Sequence, residues 1–359
     1  MNKKYSELAE LFRSEKTDEE ILDFLLNYHK NDIADMMAGM TEEERKRLYH
    51  LLGAQKVAEI FKYIEEPRKY IRELSVESAA RVISEMDSDD AVDVLEDLDP
   101  EEKEQIVRML DEDAKKDVKM LLSYDEEEIG SCMTTNYICI PENLTIRQAM
   151  SELVKQAGEN DNIMTIYVVD EKGVFAGAID LKDLIRAREN THLKDLVLKS
   201  YPYVTDHEKI DDCMDRILDY AEDSIPVLSE DKKILGVITS EDLIEMVDNE
   251  MGEDYAKLAG LTAEEDLKEP TLQSMKKRLP WLIILLFLGM AVSSVVGLFE
   301  NVVAVLPIVI CFQSLVLDMA GNVGTQSLAV TIRVLMDENL TGKQKFQLVV
   351  KEVKTGSLN

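Results

Sequence analysis

The chain of 359 residues carries 72 acidic and 41 basic residues and has a formal net charge of −31 at pH 7. All but five residues of each kind lie before residue 279, so the net charge belongs to residues 1–278. A surface this acidic repels nucleic acid and attracts cations, which argues against a nucleic-acid-binding protein. The four cysteines have no CxxC spacing, which disfavours zinc and disulfide sites and fits reduced thiols in a cytosolic domain.

Residues 1–130 are predicted to form an all-α domain of short helices stacked in a superhelical, solenoid-like array. Apolar residues recur at helical spacing, as in Ala79, Val82, Ile83 and Met86. Helix starts are marked by a capping box, an Asp-Pro pair and two further N-cap candidates: Thr41 with Glu44, Asp99 with Pro100, Ser88, and Asp111. Starts about a dozen residues apart are typical of stacked short helices.

Residues 131–250 contain an internal repeat with an α/β pattern. Val174–Ile185 (VFAGAIDLKDLI) lies 59 residues before Lys233–Ile244 (KILGVITSEDLI), and the two share a glycine in the strand and an Asp-Leu-Ile ending. Short β-rich runs alternate with helical stretches in both halves, which predicts two strand–helix–strand–strand–helix units. This organisation resembles a tandem pair of CBS (cystathionine β-synthase) modules at residues 131–192 and 193–250.

The resemblance to CBS modules implies a nucleotide site in the second module. In that family the Ser or Thr of an S/T-x-x-D motif binds phosphate, and the Asp carboxylate holds ribose hydroxyls. The second module has Thr239 and Asp242 at these positions, whereas the first has Asp180, an acid that repels phosphate, in place of the hydroxyl. Thr239 and Asp242 are therefore candidates to bind ATP. The alternative is that Thr239 only caps the following helix, with Asp242 in its first turn.

Two apolar runs near the end of the chain predict a pair of transmembrane helices. Leu279–Leu298 has no charge and is long enough to span a bilayer core, and Val302–Met319 follows almost at once. Basic residues precede the first run and follow the second, whereas the connector between them has none. The positive-inside rule places both ends of this hairpin, and the domains before it, in the cytoplasm of a multi-pass protein of the cell membrane.

A polar stretch at the end of the second run predicts either a pore or a packing face. Polar side chains and exposed backbone cost free energy in lipid, so this stretch must face protein or a water-filled path. Its candidate pore residues are Asp318, Gly321, Asn322 and Gln326. Oxygen donors without thiol or imidazole suit a hard cation such as Mg2+. The alternative is a contact face between helices, in which small residues allow close approach and polar residues form hydrogen bonds.

Three motifs stand out in and beside the apolar runs: KRLPWL at 277–282, GLFE at 297–300 and DMAGNVGTQS at 318–327. With these motifs, the order of the segments resembles the MgtE family of magnesium transporters along nearly the whole chain. The resemblance implies a homodimeric, Mg2+-selective channel that cytosolic Mg2+ holds shut and that ATP tunes in some members. It also implies a long connecting, plug-like helix at 251–278. The predicted fold is therefore multidomain: the all-α array, the α/β CBS pair, this helix and an α-helical transmembrane pair.

Two groups of acids are the candidate Mg2+ ligands between the cytosolic domains. The first is the cluster Asp87, Asp89, Asp90, Asp93, Glu96 and Asp97. From this cluster we expect Asp87, Asp90, Asp93 and Asp97 in particular to bind the ion. Facing it we expect acids from the end of the second module and the start of the connecting helix, namely Glu245, Asp248 and Glu253. Bound Mg2+ would draw the domains together and pull the connecting helix onto the pore mouth. The alternative for each acid is an ordinary solvated side chain.

The membrane part differs from the family pattern. Family members have five spans, whereas two are predicted here within residues 279–335, followed by a polar segment at 336–359. We therefore expect a channel or transporter that is incomplete in this chain. The alternative function is a membrane-anchored sensor of Mg2+ or nucleotide without transport of its own. An enzyme is not expected, because the four histidines are scattered and no nucleophile–base pair stands out.

Overall fold

The computed structural model describes residues 17–64, 66–158, 160–188, 191–258, 261, 270–299, 305, 308–337 and 341–358. The chain divides between Leu243 and Ile244 into two compact units, which we describe separately. The first unit contains an array of short helices followed by two small α/β modules, and the second contains the long helices near the end of the sequence. The predicted multidomain fold class is confirmed.

Short helices form the first part of the first unit, as the helical spacing of the apolar residues predicts. Those residues are buried: Ala79, Val82 and Ile83 are at most 4% exposed. In chain order the helices are α1 (Asp18–Leu25), α2 (Lys30–Met37), α3 (Glu42–Phe61), α4 (Pro67–Ile71), α5 (Val76–Ser84), α6 (Ser88–Glu96), α7 (Pro100–Met109) and α8 (Glu112–Leu121).

The helix starts follow the predicted capping signals, with one correction. Thr41 and Glu44 form the capping box at the start of α3, and the side chain of Asp111 caps α8. Ser88 is predicted as an N-cap, but Asp87 occupies that position and Ser88 is the first residue of α6. Ser88 is buried, and its hydroxyl bonds to the module that follows rather than to its own helix.

A buried ion pair links the middle of the array. Arg45 on α3 is 5% exposed and binds both carboxylate oxygens of Glu73 through its guanidinium. The same guanidinium also donates to the backbone carbonyls of Met37 and Met40. Because the Glu73 side chain is only 9% exposed, each charge depends on the other for compensation.

Two α/β modules of the same design follow the array. In each, the first strand pairs in parallel with the second, and the second pairs antiparallel with the third. The pairs Ile166–Ile179 and Ile225–Ile238 occupy equivalent register positions, 59 residues apart. The first module consists of β1 (Ile138–Pro141), α9 (Ile146–Gln156), β2 (Thr165–Val169), β3 (Phe175–Asp180) and α10 (Leu181–Arg186). The second consists of β4 (Val204–Thr205), α11 (Ile210–Tyr220), β5 (Ser224–Leu228), β6 (Ile234–Thr239) and the start of α12 (Ser240–Leu258).

The two modules are joined through their interior and through their backbones. Tyr167 of β2 is fully buried, and its hydroxyl lies 2.6 Å from the hydroxyl of Ser224 on β5. The segment before β1 pairs with β6 through Thr134, and the segment before β4 pairs with β3 through Leu198. A segment of each module therefore pairs with the sheet of the other.

The second unit contains a candidate membrane span. Helix α13 (Thr271–Gly297) begins before the basic residues at 276–278 and includes Pro280. It is long and apolar enough to cross a membrane: its most apolar window has a mean hydropathy of 2.4, and none of that window is buried. It is the one candidate found among the described residues.

The remaining helices of the second unit follow this span. The start of the second predicted apolar run lies outside the described residues, and its remainder lies on α14 (Ile308–Asp337). Helix α15 (Gly342–Leu358) packs against α14, where a Cβ on Gly356 would lie 2.9 Å from Val323 Cγ1. Residues 259, 260 and 262–269 of the predicted connecting helix also lie outside the described residues.

Candidate cation site

The start of α6 gathers carboxylates where the helical array meets the two modules. Asp87 is the N-cap, and Asp89 and Asp90 lie in the first turn, where the helix dipole favours negative charge. All three are partly buried. The Oδ1 atom of Asp89 is fully buried and has no hydrogen-bond partner among the described residues. Since an unpaired buried carboxylate oxygen is costly, this oxygen is suited to bind a cation.

The first module holds the start of α6 in place. Asn136 donates from Nδ2 to Asp87 Oδ1 at 2.8 Å, and its own Oδ1 accepts from the backbone N–H of Asp161 at 2.9 Å. Beside it, the backbone N–H of Thr135 donates to the Ser88 hydroxyl at 2.9 Å. These bonds tie the acids of this turn to a specific edge of the module.

The second module contributes Asp242, in the first turn of α12. Its Oδ2 accepts from the backbone N–H and the hydroxyl of Thr239 at 2.7 and 2.8 Å, and its own N–H donates to Thr239 Oγ1 at 3.3 Å. This is a capping box, so the capping interpretation of Thr239 is confirmed. The nucleotide-binding role of Thr239 and Asp242 stays a prediction.

Burial and like charges raise the pKa of the acids that meet here. Burial raises the pKa of Asp90 to about 7; the Lys62 ammonium opposes this shift, and the charges of Asp87 and Asp242 add to it. The pKa of Asp89 lies well above its usual range because the carboxyl is buried and faces the charges of Asp242, Asp90 and Asp87. Burial also raises the pKa of Asp242. A divalent cation bound here would favour the ionised forms.

A cavity of about 420 Å³ opens beside these acids. It is bordered by the helical array and by both modules, including Lys62, Asp87, Asp90, Asn136 and Glu241. At a share of about 30 Å³ for each water molecule, it has room for a cation with most of its hydration shell. This property suits Mg2+, which gives up its water reluctantly.

The carboxylates do not form a ready-made metal cage. Within the part of the chain that the structure describes, no three side chains of His, Cys, Asp or Glu are arranged to hold a metal ion. A cation here would therefore bind partly through water, or draw the carboxylates closer as it binds.

The structure separates the predicted ligands of the acidic cluster. Asp87 and Asp90 lie together at the start of α6, and Asp93 follows one turn later. Asp97 is the C-cap at the opposite end of the helix. At about 1.5 Å of rise for each residue, Asp97 lies roughly 15 Å along the helix axis from Asp87. Asp97 therefore lies apart from the acids in the first turns of α6, and the role of each of these residues as a ligand stays a prediction.

The second predicted group lies on α12 beyond the division between the units. Glu245 and Asp248 are exposed on this helix. Glu253 belongs to the same helix, but its side chain lies outside the described residues. Their role as ligands stays a prediction.

Sequence patterns do not indicate the contacts of Asn136 and Lys62, or the burial of Asp89 among the acids of its cluster. Asp89 belongs to the predicted acidic cluster, but spacing alone does not show that one of its carboxylate oxygens is buried without a hydrogen-bond partner among the described residues. Asn136 and Lys62 carry no local signal, because their contacts join segments that are far apart in the sequence. The contacts of these residues can be recognised only in the tertiary structure.

The candidate pore residues lie on α14 in the second unit. Asp318, Gly321, Asn322 and Gln326 are all exposed on this helix. The spacing of four between Asp318, Asn322 and Gln326 places these three on one face. The hydroxyl of Thr325 donates to the backbone carbonyl of Gly321 at 3.1 Å and so is satisfied within the helix. A line of carboxylate and amide oxygens thus marks one side of α14, and its role in a pore stays a prediction.

Comparison with known proteins agrees with this organisation. The family model of the MgtE intracellular N domain matches residues 28–127, and the CBS domain model matches residues 127–190 and 193–249. A magnesium transporter MgtE from Enterococcus faecalis (strain ATCC 700802 / V583) is 38% identical over 360 aligned positions, covering 99% of this chain and 79% of that protein. The chain belongs to the MgtE family. A second MgtE, from Bacillus subtilis (strain 168), is 31% identical over 236 positions, covering 65% of this chain and 52% of that protein.

Two solved MgtE-type structures share the fold of the cytosolic part. The first is the soluble part of a magnesium transporter, with a TM-score of 0.66 and 30% sequence identity. The match covers 69% of this chain and 98% of the chain of that structure. The second is the cytosolic domain of the Mg2+ channel MgtE in complex with ATP, with a TM-score of 0.61 and 26% sequence identity. The match covers 67% of this chain and 99% of the chain of that structure. The helical array and the two α/β modules are thus the MgtE N domain and its CBS pair, which confirms the resemblance predicted from the sequence.

Proposed function

We propose that this protein acts as a Mg2+-selective channel or transporter that cytosolic Mg2+ closes. Three relatives that match it are named magnesium transporter MgtE, and a structural relative is named a Mg2+ channel. The observation that carries the gating proposal is that Asp89 and Asp90 of α6 lie near enough to Asp242 of the second module for like charges to raise the pKa of both carboxyl groups on α6. The proposed division is an N domain (1–130), CBS modules (131–192 and 193–250), a connecting helix (251–278), a membrane part (279–335) and a polar segment (336–359).

Repulsion between the domains supplies the gating force. When Asp89, Asp90 and Asp242 are ionised without a divalent cation, they favour separation of the N domain from the second CBS module. Mg2+ offsets this repulsion and binds better when the carboxylates are close, so it shifts the population toward closed domains. Asp242 lies in the first turn of α12, and this helix continues along the chain past Leu243, which gives the movement a path along the sequence.

Transport is favoured over a sensor that does not transport. The three relatives of the MgtE family that match the chain are each named a magnesium transporter. In addition, α14 carries the acid and amide side chains of Asp318, Asn322 and Gln326 on one face, as an ion path requires. These residues, with Gly321, are the proposed pore lining.

Limited proteolysis of the full chain in detergent tests the gating proposal. We expect millimolar Mg2+ to slow cleavage within residues 85–97 and 245–270, because closed domains shield these segments. NaCl at the same ionic strength is the control, since it screens charge without bridging carboxylates. Equal cleavage with and without Mg2+ would contradict the proposal.

Flux into liposomes tests the transport proposal. We expect Mg2+ to enter vesicles that contain the protein and a Mg2+-sensitive dye, and Asn322→Ala to reduce the rate. Ser294→Ala is the matched control, because this hydroxyl already bonds to the carbonyl of Met290 within α13. Wild-type vesicles without flux would overturn transport and favour the sensor function.

We propose ATP as a second ligand, bound by Thr239 and Asp242. A structural relative is described in complex with ATP, and the second module has the S/T-x-x-D motif that the CBS family uses. Calorimetric titration with ATP provides the test, with Asp242→Ala expected to weaken binding. Asp183→Ala, at the equivalent position of the first module, is expected to leave binding unchanged.

We also propose that the protein is a homodimer in the cell membrane, with its N-terminal domains in the cytoplasm. The unburied apolar helix α13 and the basic residues at 276–278 support the membrane location. Light scattering in detergent measures the mass of the assembly, and a monomer would contradict the dimer.

A further inference from the structure

Lys62 places a positive charge among the carboxylates of the cavity. It follows the last residue of α3, and its ammonium lies 3.1 Å from Glu241 Oε2 at the start of α12. Burial alone lowers the pKa of Lys62, but Asp90, Glu241 and Asp87 raise it overall. Lys62 therefore carries its charge at physiological pH, and it interacts with the start of α6 as well as with the second CBS module.

An ordinary structural ion pair does not explain this lysine. The side chains of Lys62 and Glu241 are 30% and 64% exposed, and ion pairs this accessible contribute little to stability. Lys30 also borders the cavity, but its ammonium pairs with Glu59 at 2.9 Å, next to the end of α3. Lys62 differs from Lys30 in interacting with acids of both domains. Its flexible four-carbon stem allows it to leave them.

We propose that Lys62 is a tethered cation that competes with Mg2+ for the carboxylates of this cavity and so sets the Mg2+ concentration at which the domains close. This inference rests on the proposed Mg2+ gating. An ammonium and a divalent cation repel each other at short range, so Mg2+ must displace the ammonium before it binds. Lys62 thus lowers the affinity for Mg2+ and also reduces the repulsion among the acids when Mg2+ is absent.

Calorimetric titration of the full chain in detergent with MgCl2 tests the competition. Lys62→Gln removes the competing charge, and we expect it to lower the Kd for Mg2+ by about tenfold. Lys62→Arg keeps the charge and should leave the Kd near the wild-type value. Lys46→Gln is the matched control, because Lys46 lies on α3 and pairs only with exposed Glu42 among the described residues. It should also leave the Kd unchanged.

A second measurement covers the Mg2+-free state. Without Mg2+, Lys62→Gln should speed proteolysis within residues 85–97 several-fold, because the acids lose their internal counter-charge. An unchanged or higher Kd in Lys62→Gln, with a wild-type chain that binds Mg2+, would overturn the role of Lys62 alone. A wild-type chain that does not bind Mg2+ would instead overturn the proposed gating and this inference with it.

Discussion

Thr134 and Val237 exchange two backbone hydrogen bonds of 2.8 Å, which join the segment before the first CBS module to the last strand of the second. Gly236 directly precedes Val237 on β6. A Cβ at this glycine would lie 2.7 Å from the carbonyl oxygen of Thr134, closer than real Cβ atoms approach. The glycine that the internal repeat shares therefore has a physical role: it allows the chain from the other module to come close enough to pair.

The substitution Gly236→Ala should destabilise the CBS pair. Its Cβ would push against the Thr134 backbone and the Met133 side chain, and overpacking of this kind costs about 1–3 kcal/mol. A drop in the apparent Tm of the full chain, followed by circular dichroism, measures the effect. Gly39→Ala is the control, because its nearest atom would lie 3.6 Å away. Equal Tm values for the two variants would mean that the strand exchange tolerates a methyl group.

Neutralising the buried acid at the domain junction should have two effects. We expect Asp89→Asn to raise the apparent Tm in EDTA by about 2–4 °C, because it removes repulsion from Asp242 and Asp90. We also expect the gain in Tm on addition of Mg2+ to shrink. Asp97→Asn, at the other end of α6, should change neither quantity. A lower Tm in EDTA with a full Mg2+ response would remove Asp89 from the proposed site.

The buried ion pair of the N domain should be sensitive to loss of one partner. Arg45→Met leaves Glu73 buried without its counter-charge, and such a change costs about 3–5 kcal/mol. Arg108→Met breaks an exposed pair with Glu104, whose side chains are 71% and 67% exposed, and should cost about 0.5 kcal/mol or less. Chemical unfolding followed by circular dichroism compares the two. The double variant Arg45→Met, Glu73→Gln should recover part of the loss.

The contact of His207 with Glu128 should give the packing of the second CBS module on the segment before β1 a stability that depends on pH. Its ring nitrogen lies 2.9 Å from Glu128 Oε1, and this bond, followed by the charge of Asp206, raises the pKa of His207. A raised folded-state pKa means that the stabilisation is present below the unfolded value of about 6.5 and is lost as pH rises through the folded value. The difference in Tm between wild type and His207→Gln should therefore be larger at pH 6 than at pH 9. Thermal unfolding of both proteins at the two pH values, followed by circular dichroism, measures this difference. Exposed His50→Gln is the control, and a difference that grows with pH would contradict the assignment.

Much of the fold can be predicted because its signals are local. Helical spacing indicates the buried residues Ala79, Val82 and Ile83, and the capping box at Thr41 and Glu44 forms as predicted. The 59-residue repeat likewise predicts the equivalent registers of the two CBS modules. The prediction fails at Ser88, because its hydroxyl has a better partner in Thr135, which lies in another domain.

The sequence by itself determines the domain order, the repeat, the membrane-like helix and the concentration of acidic charge before residue 279, because each is a property of neighbouring residues. Which of the many acids meet is decided only by the tertiary structure. Packing of α6 against the CBS pair buries Asp89 and Asp90 near Asp242 and leaves Asp97 exposed at the far end of the same helix. The same packing brings Lys62 to Glu241, although the two residues are far apart in the sequence. Burial changes the energy of a charge far more than its position in the sequence does, so the candidate site follows from the fold and not from the pattern of acids.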